Sequence, residues 1–220
     1  MINALQLRLI SPIITQSNAD IIAPLLDTIC PKYGIDNKDI FEEFLPNILH
    51  ESGSFTILTE SLNYQAVALI QKFGRHRISI DDAYRYGRTA TQKANQPMIA
   101  NILYGGKWGK DNLGNTEPND GWEFKGAGIL QLTGRYLGTK FMNYYNNKFS
   151  TGYSLIRTFE LLRNDMAFGI HAACWLFAIE KKLIDEAIED KMLSIRKSIN
   201  GGTFGMEEVN KFYANCKKYL

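Results

Sequence analysis

The chain has 220 residues, of which 45% are hydrophobic and 22% are charged, and its formal net charge is +2. This length suits one domain, or one domain with two lobes, that buries a core without metal or disulfide support. So small a net charge does not indicate a nucleic-acid-binding protein, and we expect no nucleic-acid partner.

Cysteines and apolar segments bear on where the protein is made. The three cysteines are far apart and odd in number, which argues against a disulfide framework and against a metal cluster. The N-terminal region has no basic segment followed by a long apolar core, so we predict no cleavable signal. The most apolar segment, residues 166–179, is shorter than the roughly 20 residues that span a bilayer. We therefore expect synthesis in the cytoplasm and no stable membrane insertion.

Four helices are predicted in the first half of the chain. Polar capping residues and prolines indicate where each helix begins or ends. The predicted helices are 19–30, capped by Asn18 or Asp20 and stopped by Pro31; a segment from Asp36 or Asn37 to Glu51, kinked at Pro46; Asn63 to Phe73; and Pro97 to Tyr104.

The helix that ends at Glu51 carries an apolar stripe. Its apolar residues recur at helical spacing from Ile40 to Leu49. Glu51 follows Phe44 by seven residues and Ile48 by three, so two turns of helix return it to this stripe, facing the protein. A carboxyl group placed there is expected to lose hydration, which favours its neutral, proton-donating form. Glu51 is therefore a candidate general acid, although most glutamates of a globular protein are solvated surface charges.

A second glutamate, Glu60, follows nine residues later. Gly53 can end the helix, and residues 55–59 alternate weakly, as in a short strand or an extended loop. Such a connection can fold back to place the two carboxyl groups roughly 6.5 to 9.5 Å apart, the separation that inverting glycosidases use. The spacing permits this pair without proving it. His50 does not begin a zinc-protease motif, because Ser54 stands where the second histidine would be.

Residues 105–121 contain five glycines and several Asn, Asp and Pro residues, and are predicted to form a long loop. Trp108 and Trp122 lie within or next to this loop, and each suits a sugar-stacking position and a core position equally well. Residues 126–133 are predicted to form a tight turn. Its lone Gly-x-Gly is weak evidence for phosphate binding, because Gln131 stands where a further glycine would be.

The basic segment, residues 71–93, has six Lys and Arg side chains and two Asp side chains, a formal charge of +4. Such a segment either contacts an anionic polymer or forms a solvated helical face. The sequence leaves both interpretations open.

The C-terminal third is predicted to be helical. It comprises a buried helix over 166–180, a segment near 192–199, a break at Gly201 and Gly202, and an amphipathic last helix. No internal repeat, linker or low-complexity region is present, so residues 1–220 are predicted to form one domain.

Four segments together resemble glycoside hydrolase family 19, specifically the phage-type endolysins that are similar to plant chitinases. They are HESGSF at 50–55, ESLNY at 60–64, GWEFKGAGILQLTGR at 121–135 and INGG at 199–202. Their order and spacing cover most of residues 35–218. The resemblance implies a mainly α fold of the α+β lysozyme-like superfamily, with two helical lobes around a substrate cleft and a small β or extended element. Because the chain has no internal repeat, linker or low-complexity region, we expect residues 1–220 to be a single catalytic domain without a separate wall-binding module.

The resemblance also implies roles for individual residues. Glu51 matches the general acid, and Glu60 matches the general base. Gln131 and Thr133 match the segment that binds sugar and helps to hold the attacking water, so Thr133 joins the catalytic set. No metal or other cofactor is implied. The residues predicted to contact substrate are His50, Tyr64, Trp108, Trp122, Gln131 and Asn200.

Three positions depart from the pattern of the family. Ala127 stands where the Arg of a Gly-Arg-Gly motif is common, since this chain has Gly126-Ala127-Gly128. Leu137 stands where an Asn is common, and Val209 stands where many members have an Arg in the last helix. The loss of two cations and one amide bears on sugar binding and on the electrostatics around Glu51.

These features predict an N-acetylmuramidase, a peptidoglycan-degrading endolysin that hydrolyses the β-1,4 bond between N-acetylmuramic acid and N-acetylglucosamine with inversion. We expect a monomer that acts on peptidoglycan glycan strands, lyses bacterial cells and reaches the wall through a separate membrane pore, a holin. Three alternatives stay open: a chitinase acting on β-1,4-N-acetylglucosamine polymers, a lytic transglycosylase that needs one carboxylate and forms an anhydro sugar, and a non-catalytic glycan-binding protein.

Overall fold

The computed structural model describes all residues from 1 to 220 and is mainly helical, which confirms the predicted fold class. The helices are α1 (Ala4–Ile10), α2 (Gln16–Ile29), α3 (Lys38–Glu51), α4 (Ala66–Phe73), α5 (Ile80–Tyr86), α6 (Gln96–Tyr104), α7 (Gly106–Leu113), α8 (Asp120–Glu123), α9 (Gly134–Phe149), α10 (Leu155–Asn164), α11 (Met166–Trp175), α12 (Ile184–Ile188), α13 (Met192–Asn200) and α14 (Met206–Tyr219). A 3-10 helix at Cys30–Tyr33 follows α2, and a π-helical turn at Leu176–Glu180 follows α11. None of these helices combines the length and the hydropathy that crossing a bilayer requires.

Two compact units make up the chain. Unit 1 contains Met1–Leu58, Gly128–Leu130 and Leu161–Leu220, and unit 2 contains Thr59–Ala127 and Gln131–Glu160. The predicted extended element is present as isolated bridges and not as a sheet. These bridges pair Thr59 with Ala127, Gln65 with Arg88, and Ala127 with Leu132.

Helix α3 lies in the core of unit 1 and presents Glu51 at its C-terminal end. It begins after Asn37, whose side chain accepts a hydrogen bond from the Ile40 amide. Of the two predicted caps, Asp36 and Asn37, the structure therefore uses Asn37. Pro46 lies within the helix and does not interrupt it. The stripe of apolar residues is buried as predicted, and the polar residues between them are buried as well, so residues 40–49 of α3 are buried on all sides. The fully or almost fully buried members of the stripe are Ile40, Phe41, Phe44, Leu45, Ile48 and Leu49.

Two predicted helix starts are wrong. Helix α2 begins at Gln16 and is capped by Thr15, whose hydroxyl accepts from the Asn18 amide, so the helix starts one turn earlier than predicted. Helix α4 begins at Ala66, because the preceding residues stay extended and Gln65 forms its bridge with Arg88. The start of α2 depends on a local cap, Thr15, that the sequence interpretation passed over in favour of Asn18 and Asp20, whereas the start of α4 depends on a bridge to a residue 23 positions away.

The predicted long loop over 105–121 is also wrong in part. Helix α7 occupies Gly106–Leu113, and α8 begins at Asp120, which leaves a connection of only six residues. A Cβ atom at Gly109 would lie 2.0 Å from the Tyr104 carbonyl oxygen, so this glycine permits a close backbone approach inside a helix. Gly109 therefore serves packing, and Gly114 ends α7 in the left-handed conformation, with φ of 69°.

The predicted order of the C-terminal helices is confirmed. Helix α11 and its π-helical turn contain mostly buried residues, and α13 ends where Gly201 adopts the left-handed conformation, with φ of 76°. Helix α14 then packs against α3 within unit 1. This packing places residues 192–206 beside the end of α3.

Candidate active site

Glu51 forms an ion pair at the end of α3. Its side chain is 23% exposed, and its Oε1 lies 2.7 Å from an NH1 nitrogen of Arg196 on α13, a residue that is completely buried. The expectation of apolar surroundings is therefore wrong for the carboxylate, although Phe44 and Ile48 on the same stripe are buried. Helical periodicity predicts the face on which a side chain lies, and the partner that it meets there depends on the tertiary structure.

Arg196 is held from two directions. Its Nε and NH2 donate to the carbonyl oxygen of Phe204 at 2.9 and 2.7 Å, while NH1 faces Glu51. A buried guanidinium strongly destabilises a fold unless it has a counter-ion and hydrogen-bond acceptors. Arg196 therefore ties Glu51 to the segment that joins α13 and α14.

Asn200 lies beside this ion pair, and its predicted contact with sugar stays a prediction. Its Nδ2 donates to Glu51 Oε1 at 3.4 Å and to the Phe204 carbonyl at 3.3 Å. Both distances are long for hydrogen bonds, and the side chain is exposed. The amide is thus available to a ligand near Glu51.

His50 connects the end of α3 to the start of α14. Its Nδ1 lies 2.5 Å from Glu208 Oε2, and its ring meets Phe204 edge to face. Gly205 lies so close that a Cβ atom there would be 2.1 Å from the imidazole Nε2. These contacts give His50 a structural position in unit 1, and its contact with substrate stays a prediction.

Glu60 is held by two donors within unit 2. The amide of Gly126 donates to its Oε2 at 3.1 Å, and the hydroxyl of Tyr104 donates to its Oε1 at 2.5 Å. The Glu60 amide in turn donates to the Gly126 carbonyl at 2.9 Å. The carboxylate plane is therefore set by contacts to both of its oxygens.

The predicted tight turn brings Gln131 near Glu60 and joins Thr133 to Gln131. Reciprocal backbone hydrogen bonds join Ala127 and Leu132 at 3.0 and 2.8 Å. A Cβ atom at Gly126 would lie 2.7 Å from Gln131 Oε1 and 3.4 Å from Glu60 Oε2, so only glycine allows these side chains to approach the backbone. Thr133 donates its hydroxyl to the Gln131 carbonyl at 3.0 Å. Unit 2 thus brings together three of the predicted site residues.

The predicted aromatic residues occupy two kinds of position. Trp108 is 38% exposed, lines a surface groove of about 470 Å³, and carries the Arg77 guanidinium 3.2 Å from its ring centroid. Trp122 and Tyr64 pack against the hydrophobic cluster of unit 2. The Tyr64 hydroxyl accepts from Lys72 at 2.6 Å. Of the three aromatic side chains, Trp108 is the most exposed, although Arg77 covers one face of its ring.

Two residues that matter at these carboxylates were missed in the sequence. Arg196 follows Met192 by four residues, so its place on the buried face of α13 could have been read from the helical period. Tyr104 follows the buried Ala100 by four residues and could have been placed inward in the same way. Neither partner could have been identified, because Arg196 is 145 residues from Glu51 and Tyr104 is 44 residues from Glu60.

The three departures from the family pattern lie in packed positions. Ala127 and Val209 are completely buried, and Leu137 is half-buried. A buried cation is nevertheless present beside Glu51, because α13 supplies Arg196.

No family model matches the chain. Among curated proteins, it is similar to a glycosyl hydrolase family 19 domain-containing protein of Haemophilus influenzae. The two are 27% identical over 182 residues, which cover 83% of this chain and 80% of that protein. The similarity agrees with the resemblance found in the four sequence segments.

Proposed function

We propose that the chain is a glycan-degrading hydrolase, as its similarity to a glycosyl hydrolase family 19 domain-containing protein suggests. The observation that carries the proposal is the geometry of Glu60. A carboxylate that accepts one backbone and one phenolic hydrogen bond, with Gln131 nearby, has the fixed orientation that a general base needs. This arrangement supports activation of a water molecule.

The proposed mechanism assigns one step to each glutamate. Glu51 protonates the glycosidic oxygen that leaves, and Glu60 removes a proton from the attacking water, so that the anomeric configuration inverts. Gln131 and Thr133 help to hold this water. Arg196 NH1 lies 2.7 Å from Glu51 Oε1, so a cation faces this carboxylate once it has donated its proton.

The proposed substrate is peptidoglycan, cleaved between N-acetylmuramic acid and N-acetylglucosamine. Unit 2 has 13 Lys and Arg side chains and 8 Asp and Glu side chains, a formal charge of +5. Unit 1 has 12 Lys and Arg side chains and 15 Asp and Glu side chains, a formal charge of −3. A cationic unit suits a glycan that carries lactyl and peptide carboxylates better than it suits neutral chitin. The three free, buried cysteines suit synthesis in a reducing cytoplasm. Release through a membrane pore such as a holin completes this proposal of a phage-type endolysin.

Identification of the new chain ends tests the proposal. Purified peptidoglycan is digested, reduced with borohydride and separated, and the reduced sugars are identified by mass spectrometry. N-acetylmuramic acid at the reduced ends supports the muramidase, whereas N-acetylglucosamine at those ends contradicts it. Cleavage of chitin oligomers with intact peptidoglycan would indicate a chitinase. Products lighter by one water would indicate a lytic transglycosylase.

A further inference from the structure

The last residue of α6, Tyr104, directs its hydroxyl to Glu60. The oxygen-to-oxygen distance of 2.5 Å is at the short end of the range for a hydroxyl donating to a carboxylate. The other carboxylate oxygen is held by the Gly126 amide at 3.1 Å. An ionised carboxylate offers about four acceptor sites, so these two donors fix its plane and leave acceptor sites for a water molecule.

Tyr104 is itself held in place by unit 2. Its carbonyl oxygen accepts a hydrogen bond from Asn115 Nδ2 at 2.8 Å, and Gly109 leaves room for that oxygen. Its ring packs against a buried hydrophobic cluster that includes Ile99 and Leu103. The phenol is therefore placed by the core of the unit and not by solvent.

The protonation state of Tyr104 suits donation. Burial, followed by the nearby charge of Glu60, raises the pKa of Tyr104 far above its ordinary value, while Arg77 opposes this shift weakly. The phenol therefore keeps its proton at any pH at which the protein would act. A hydroxyl that cannot ionise is a permanent donor to Glu60.

We propose that Tyr104 is a positioning residue for the general base: its hydroxyl fixes the rotamer and plane of the Glu60 carboxylate so that a free lone pair faces the attacking water. This inference rests on the proposed hydrolase function. A phenylalanine at this position would keep the packing of the ring and remove one of the two donors. Glu60 would then be held only by Gly126 and could turn about its side-chain bonds.

Turnover of four proteins tests this role: the wild type, Tyr104→Phe, Glu60→Gln and the double variant. We expect Tyr104→Phe to lower kcat about 10- to 100-fold with KM changed less than threefold, because misplacement of a catalytic group by about 1 Å slows chemistry by that order. In the Glu60→Gln background the same change should have no further effect, because its action passes through Glu60. Tyr86→Phe, a tyrosine packed against the same cluster, is the matched control and should behave like the wild type.

An NMR measurement tests the contact without turnover. The Tyr104 hydroxyl proton should give a downfield resonance that exchanges slowly with water, and this resonance should move upfield in Glu60→Gln. Equal kcat values for Tyr104→Phe and Tyr86→Phe, or an undiminished penalty of Tyr104→Phe in the Glu60→Gln background, would overturn the positioning role alone. A wild type that cleaves no glycan, or a fully active Glu60→Gln, would overturn the proposed function as well.

Discussion

Arg196 and Glu51 form an ion pair in which the guanidinium is completely buried and only the carboxylate reaches solvent. Phe204 supplies a carbonyl acceptor to the remaining side of the guanidinium, so the cation depends on one carboxylate for charge neutralisation. The same carboxylate is the proposed general acid. Changes at Glu51 should therefore alter stability as well as turnover.

Glu51→Gln is expected to reduce turnover by at least about 10², because the leaving oxygen loses its proton donor. It should also lower the free energy of unfolding by about 1 to 3 kcal/mol, because Arg196 keeps an acceptor and loses its counter-ion. Release of reducing ends and urea unfolding measure the two effects. Glu207→Gln, an exposed glutamate paired with Lys211, is the control and should change neither quantity measurably. More than a tenth of wild-type activity in Glu51→Gln would contradict the acid assignment.

Glu60→Gln separates hydrolysis from a transglycosylase reaction. If a water molecule must be activated, loss of the base should lower kcat by about 10² or more. Thr133→Val should have a smaller effect, about tenfold, because it frees the water and leaves the base in place. Turnover and product masses are measured together. An active Glu60→Gln variant whose products are lighter by one water would favour the transglycosylase.

Glu43 on α3 is expected to make stability depend on pH. Burial, the largest cause, raises the pKa of this completely buried carboxyl group to about 7, while the nearby Tyr213 hydroxyl and Lys217 oppose the shift and Asp190 and Glu42 add to it. Because the unfolded chain loses this proton near the ordinary value of 4.5, the folded state binds more protons between pH 4.5 and 7. The free energy of unfolding should therefore fall as pH rises through that window, by up to about 3 kcal/mol, and level off above it.

Denaturant unfolding at several pH values, with Glu43→Gln for comparison, measures this dependence. The glutamine variant is nearly isosteric and cannot ionise, so the part of the decline due to Glu43 should be absent from it. If the free energy of unfolding depends on pH in the same way in the two proteins between pH 4.5 and 7, folding does not raise the pKa of Glu43, and the prediction is wrong.

Salt is expected to weaken action on whole cells. Arg85, Arg88 and Lys93 in the basic segment are exposed, and exposed charges are screened over about 10 Å at 0.1 M salt. Replacing these three residues by glutamine should lower lysis at low salt and flatten its salt dependence. Replacing Lys181, Lys182 and Lys211, three exposed cations of unit 1, is a control with the same loss of charge. If the two triple variants change lysis and its salt dependence equally, the basic segment is a solvated face with no specific contact to the cell wall.

Local patterns in the sequence predicted much of the helical structure. Asn37 begins α3 and Gly201 ends α13 because capping and the left-handed conformation depend on residues close in the chain. The turn that carries Gln131 was predicted for the same reason. The interpretation of residues 105–121 failed, because Gly109 is required by an approach to the backbone of Tyr104 and not by a loop.

The sequence by itself determined the mainly helical class, the burial of the apolar stripe of α3 and the two glutamates proposed for catalysis, because these follow from periodicity, capping and the family resemblance. Only the tertiary structure decided that Glu51 meets Arg196 and that Glu60 meets Tyr104. Hydrogen bonds and ion pairs act over about 3 Å, and folding brings together residues that are far apart in the chain. No local pattern can therefore identify these partners.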